Sequence, residues 1–252
     1  PGSWLNGQEI TQEINQNPRG TLARFIGHIQ PSHVGKVKIF SNSSMHAPIP
    51  YHHAQAALYD HEGKPITEGS IQIEHVQLVP HPHSSFFVGA PQLQKEDDPE
   101  KASHYAQSWF GREVIIKVKN HEGQSEIDES VYIPKLLDLR LDLRHEGYLS
   151  VGDQLIWTPD ERTQELLLSV MFFPEFESNA SEREGTYFYK EILDNGSYTI
   201  TAEDLAELPI DEGVFRFSVG RISFRKVEGT SSGKSYSLGG SHHIFQELKL
   251  MR

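Results

Sequence analysis

Cysteine is absent from the 252 residues. That one absence excludes disulfides, thiolate metal sites and a cysteine nucleophile together. It fits a cytosolic protein, and equally an envelope protein whose only cysteine was a lipid-modified residue at the mature N-terminus. Long apolar runs are also missing, and none approaches the ~20 residues that a helix needs to cross a bilayer. Pro1-Gly-Ser-Trp4 carries no basic-then-apolar signal pattern. Positive charge is scarce: 23 Lys and Arg stand against 35 Asp and Glu, for a net charge of −12. With no basic stripe to face phosphates, this balance argues against binding nucleic acid through its phosphates. Helical periodicity is nearly absent as well.

Period-2 alternation is what the chain has instead, and it reads as strands with one wet face. Lys36–Phe40 alternates charged and apolar residues. Gln55–Asp60, Ser70–Ile73, Val114–Asn120 and Ser130–Ile133 read as further strands, while Ser41–Tyr51 reads as a loop. His-Glu-Gly closes a strand at 61–63 and 121–123 and recurs at 145–147, where the glycine supplies a turn residue. Leu136–Leu143 alternates leucine with Asp138, Arg140 and Asp142, which predicts a strand. Tyr148–Ile156 and Glu165–Phe173 predict two strands around a polar Thr158–Thr163 turn, with Trp157 as the heaviest core candidate. Val214–Val219, Ile222–Arg225 and His243–Leu250 complete the set. Only Ala202–Leu208 looks helical, with Thr201 as N-cap, Asp204 three residues on and Pro209 as the stop.

This pattern predicts an all-β protein of two tandem β-sandwich, immunoglobulin-like domains with one short helical turn in the second. The expected division is an N-terminal tether over 1–20, a first sandwich over 21–137 and a second over 138–252. In the second half, Leu155-Ile-Trp-Thr-Pro-Asp160, Asp194–Thr201, Leu205–Pro209 and Phe217–Arg221 occur in order. Over about residues 148–250 this series resembles the C-terminal immunoglobulin-like domains of uncharacterised envelope lipoproteins of Gram-negative bacteria. The resemblance implies a secreted, lipid-anchored protein, suspected at the outer membrane, and it carries no site residues.

Histidine is the one unusual abundance, at 14 residues. His81 and His83 lie two apart, so in a strand they share a face and form the better metal-binding pair. His52-His53 and His242-His243 are adjacent and would point to opposite faces. Solvated loop histidines explain all three clusters more simply, since no His-Glu-x-x-His spacing occurs. Gly229-Thr-Ser-Ser-Gly-Lys-Ser235 imitates a phosphate loop but has three residues between its glycines where four are required, and no helix pattern follows. No Gly-x-Ser-x-Gly elbow is present, and Glu175 with Glu177 reads as a solvated edge rather than a glycosidase pair. No catalytic residues and no cofactor are therefore predicted. Trp109 and Phe110, beside the charged 94–103 loop, are the partner-binding candidates, weighed against Trp109 capping the first core. The expected function is a non-enzymatic envelope or secreted module that recognises a protein or glycan, with no nucleic-acid partner and membrane association only through a lipid anchor. The alternative is a metal-binding protein or metal-dependent hydrolase using the His81/His83 region.

Overall fold

The computed structural model describes residues 33–44, 51–59, 65–66, 68–80, 87–89, 107–174, 187–206, 208 and 213–250. Over these the protein is mostly β-strand, in largely antiparallel sheets, with β10 running parallel to β16. The chain falls into two compact units. Unit 1 takes the described residues of 1–42, 49–136 and 222–242, and unit 2 takes those of 43–48, 137–221 and 243–252. The units are thus interleaved along the chain. The predicted tether over 1–20 lies outside the described residues.

Unit 1 holds β1 (His33–Ser44), β2 (Tyr51–Tyr59), β3 (Pro65–Ile66), β4 (Ser70–Ile73), β5 (Val76–Pro80), β6 (Phe87–Gly89), β7 (Arg112–Lys119) and β8 (Ser125–Ile133). Their hydrogen-bonded order is β1-β2-β6-β5-β4-β7-β8, with β3 beside β2. Ser41–Ser44 and Tyr51, read as part of a loop, belong instead to β1 and β2. Alternation sorts β4, β5 and β7 cleanly: Ile71, Ile73, Val76, Leu78, Val114, Ile116 and Val118 are buried. They share one core with Phe87, Trp109 and Leu238. Each such side chain contributes ~1.5–3 kcal/mol on burial. Between β7 and β8, Asn120 Oδ1 accepts the N–H groups of Glu122 and Gln124, both at 3.0 Å. Gly123 (φ +78°) completes that turn, and Gly147 (φ +80°) repeats it, so both described His-Glu-Gly triplets place glycine where side chains are disfavoured.

Unit 2 holds β9 (Arg140–Asp142), β10 (Tyr148–Leu149), β11 (Gln154–Ile156), β12 (Glu165–Pro174), β13 (Tyr187–Leu193), β14 (Ser197–Thr199) and α1 (Ala202–Ala206). Parts of β15 (Gly213–Glu228) and β16 (Ser235–Leu250) complete it, the remainder of each belonging to unit 1. One sheet runs β13-β12-β15-β16, with β10 parallel to β16, and a second runs β14-β11-β9. Trp157 is 5% exposed and packs with Leu155, Leu166, Leu168 and Phe217, the core position expected for it. The predicted 136–143 strand shrinks to three residues. Its face alternation survives, with Leu137 and Leu139 buried and Asp138 and Arg140 exposed. Just before that strand, the Asp138 carboxylate accepts the Thr158 N–H (2.7 Å) and hydroxyl (2.6 Å).

Residues 214–225, expected as two strands, form one continuous strand. Gly220 interrupts the apolar pattern for a packing reason: a Cβ there would run into the buried His243 imidazole. The helical turn is built as the sequence predicts. Thr201 Oγ1 accepts the Asp204 N–H (3.3 Å), and the Asp204 carboxylate accepts the Thr201 N–H in return (2.8 Å).

Candidate functional site

Three polar clusters and one open sheet face gather the chemistry of the described residues. The first cluster explains the glycine- and serine-rich loop of unit 1. Glu126 is 2% exposed. Its carboxylate accepts hydrogen bonds from the Ser231 hydroxyl (2.5 Å), the Ser232 hydroxyl (2.7 Å) and the Ser232 N–H (3.2 Å). Asn120 Nδ2 approaches from the opposite hairpin at 3.4 Å. Burial alone would raise the Glu126 pKa, but these donors together outweigh it and hold it below the ordinary 4.5. Tyr236 is pushed up to about 12, first by burial and then by the Glu126 charge. The loop that imitates a phosphate cradle therefore encloses a carboxylate of its own unit.

The second cluster is buried in unit 2. The Arg221 guanidinium meets Asp194 through Nε (2.8 Å) and Nη2 (3.0 Å), with both side chains 0% exposed. Arg221 Nη2 also donates to the Thr158 carbonyl at 2.8 Å. Asp194 in turn accepts the Trp157 indole N–H (2.8 Å) and the Thr163 hydroxyl (2.5 Å). One charge pair thus ties the 157–163 turn to the 194–196 turn. Beside it, Asp138 is raised by burial but held below its ordinary value by the two Thr158 hydrogen bonds.

The third cluster caps α1. Asp204, 2% exposed, accepts Lys190 Nζ (2.8 Å) and the Tyr198 hydroxyl (2.6 Å). Burial pushes Asp204 up, but Lys190, Tyr198 and Thr201 reverse this and leave it lowered. Lys190 is raised well above its usual value, chiefly by its bond to Asp204. Tyr198 is raised by burial and then by Asp204.

The open face belongs to the β5-β4-β7-β8 part of unit 1. Register places Gln77, Gln72, Lys117 and Asp128 in one cross-strand row pointing away from the core. Lys117 and Asp128 form an exposed ion pair at 3.2 Å. In the neighbouring row Ile115, 43% exposed, stands opposite Ser130. The Glu74 carboxylate accepts the Ile115 N–H at 3.2 Å from the β4–β5 turn. Glu74 holds φ +54° there, a strained backbone for a residue with a side chain.

The predicted partner residues are not part of that face. Trp109 is 1% exposed and lies in the unit 1 core, so its ring packs rather than offering a stacking surface. Phe110 is half-buried and meets His242 edge-on at 6.3 Å. His242 and His243 are both 3% exposed, which removes them from the solvated histidines. His81 and His83 lie outside the described residues, as do the side chains of His52 and His53. Among the described residues, no group of three or more His, Asp or Glu is placed to hold a metal ion. Arg221, Asp194 and Glu126 carry most of the organised polar chemistry, and the sequence flagged none of them. Their only local signals were an arginine within an apolar strand and a glutamate within an alternating one.

No protein-family model and no curated protein matches the sequence. Structural likenesses are remote. The FN1–FN3 domains of chicken CNTN1 align at 10% identity over 84% of this chain and 63% of that one, with a TM-score of 0.21. A structure from the 1.5-MDa bacterial ice-binding adhesin, concerned with host cell surface retention, aligns at 12% identity over 88% and 66%, TM-score 0.21. A Bacteroides uniformis protein described as carbohydrate binding aligns at 9% identity over 85% and 98%, TM-score 0.22. The chain spans less than two thirds of the first two. At these scores the likenesses carry no functional argument.

Proposed function

We propose that this is a non-enzymatic protein of immunoglobulin-like β-sandwich units that binds a protein or glycan partner, or serves as a structural module, in the cell envelope or outside the cell. What supports the reading is how the organised polar groups are used: Glu126, Asp138 and Asp204 each accept hydrogen bonds that close a turn or a cap, and the titrations are shifted to match. Glu126, Asp138 and Asp204 are lowered, while Lys190, Tyr198 and Tyr236 are raised. A general acid or base works best with a pKa near the working pH. All six of these groups are held further from it, each in the charge state that its turn or cap requires. Their geometry builds turns rather than a reacting centre.

The open row of Gln77, Gln72, Lys117 and Asp128, with Ile115 beside it, is where we place partner contact. Side-chain amides and a charge pair offer donors and acceptors in a fixed register, and Ile115 adds apolar area at the centre. The experiment compares wild type with Ile115→Glu/Gln72→Glu in a glycan array and in capture from envelope extract. Selective retention by wild type, lost in the variant, is the expected result. Equal retention, or none with either, overturns the binding reading. The envelope assignment rests on the residue resemblance over 148–250, and fractionation of the native host tests it: recovery in the soluble cytosolic fraction rejects it.

A further inference from the structure

We infer that Asn195-Gly196 is a site of spontaneous chemical modification, at which the folded protein deamidates and loses stability in unit 2. Asn195 is exposed in the tight turn between β13 and β14. Its side-chain oxygen accepts the Ser197 N–H at 3.3 Å. That hydrogen bond closes a ring containing the Gly196 nitrogen, and it polarises the carboxamide carbonyl. The electrophilic carbon is therefore held on the side of the nucleophile that would attack it. Gly196 has φ +101° and no Cβ to obstruct ring closure.

The step balances without an oxidant or a metal. The Gly196 amide nitrogen, having lost its proton to base, forms a bond to Asn195 Cγ. The Cγ–NH2 bond breaks and ammonia leaves, giving a succinimide. Water then opens the ring at either carbonyl, producing aspartate or iso-aspartate. Asn120 is the internal contrast. It is half-buried, followed by His121, and hydrogen-bonded at both ends of its amide, to Gln124 and Glu126 from Nδ2 and from Glu122 and Gln124 at Oδ1.

The consequence follows from what surrounds the turn. Asp194, the preceding residue, holds the buried Arg221 guanidinium and the Trp157 indole. The Gly196 carbonyl accepts the Trp157 N–H at 3.0 Å, and Ser197 pairs with Ile156 across β14 and β11. Iso-aspartate lengthens the main chain by one atom between Asp194 and Gly196, which pulls these contacts out of register. Aspartate keeps the backbone but sets a new negative charge next to Asp194.

The test holds full-length protein at mildly alkaline pH, in native buffer and in urea, and follows Asn195 and Asn120 by peptide mapping with iso-aspartate detection. Conversion at Asn195 in native buffer should be slower than in urea by no more than about tenfold, equivalent to ~1.4 kcal/mol of local opening, while Asn120 stays intact. The iso-aspartyl fraction should melt at lower temperature than unaged protein, and Asn195→Gln should abolish both changes. Native Asn195 that converts no faster than Asn120, or an iso-aspartyl fraction that melts with unaged protein, overturns the inference.

Discussion

Replacing Arg221 with methionine should destabilise unit 2 by about 3–5 kcal/mol, the cost of leaving a buried charge without its partner. The magnitude follows from the geometry. Both side chains are 0% exposed, so neither Arg221 nor Asp194 can regain water without opening the core. In the variant, Asp194 keeps its donors from Trp157 and Thr163 but loses the two guanidinium bonds. Asp194→Leu should cost as much or more, because the guanidinium loses both bonds to its carboxylate while the indole and the Thr163 hydroxyl lose an acceptor. The double variant Arg221→Met/Asp194→Leu removes both charges and leaves only neutral groups, the Trp157 indole, the Thr163 hydroxyl and the Thr158 carbonyl, each costing ~1–3 kcal/mol. Its loss should therefore fall short of the two single losses combined, with a coupling energy of at least ~2 kcal/mol. Urea unfolding followed by tryptophan fluorescence measures all three variants, and hydrogen exchange at the β11 and β14 amides places the loss in unit 2. A single Arg221→Met loss below ~1 kcal/mol, or strict additivity, would refute the argument that this pair anchors the two turns.

Glu126 sets an acid limit on unit 1. Its pKa is lowered from 4.5, so the native state favours the ionised form, and the stability it contributes is complete above 4.5 and fades as pH falls below it. Glu126→Gln should cost about 1.5–3 kcal/mol at neutral pH, the scale of hydrogen bonds to a charged group. The gap from wild type in urea midpoint should close on acidification; a gap that persists at the lowest pH would contradict the assignment. Gly239→Ala places a Cβ against the Ser223 carbonyl and within 2.8 Å of the Phe224 Cα, both main-chain atoms. Overpacking of that kind costs about 1–3 kcal/mol, and an unchanged melting temperature would show that the strands can separate freely there. Thr201→Ala should cost ~0.5–2 kcal/mol by removing the helix cap, while Thr201→Ser should be nearly neutral. Thermal unfolding distinguishes them, and equal losses would count against the cap.

Local chemistry was readable before any coordinates. The Thr201/Asp204 cap, the polar turn after Trp157 and the alternation of β4 and β7 all depend on residues close in sequence. The misreadings share one cause, which is information held by a distant partner. Gly220 looked like a strand break because the His243 ring that it accommodates arrives from another strand. The serine-rich 229–235 loop resembled an anion cradle because it is one, but its anion, Glu126, lies about a hundred residues earlier in the chain. Trp109 beside a charged loop invited a surface role, although the core that it fills is assembled from β4, β5, β7 and residues past 222. Of the Arg221–Asp194 pair only the arginine left a local trace, a charge within an apolar strand, while Asp194 alone resembles an ordinary solvated turn residue.

The interleaving of the two units has a consequence for how the chain is made. Val227, Tyr236 and Leu238 belong to the unit 1 core, yet they leave the ribosome more than ninety residues after Ile133 closes β8. Unit 1 cannot complete its core as it emerges, and that core stays unfinished until residues 227–238 are synthesised. Domain-by-domain folding from the N-terminus, the common route for long chains, is closed to this one. A nascent chain stalled before residue 222 should therefore be chaperone-bound and protease-sensitive throughout, and a single codon change in the final hairpin can strand residues translated long before it.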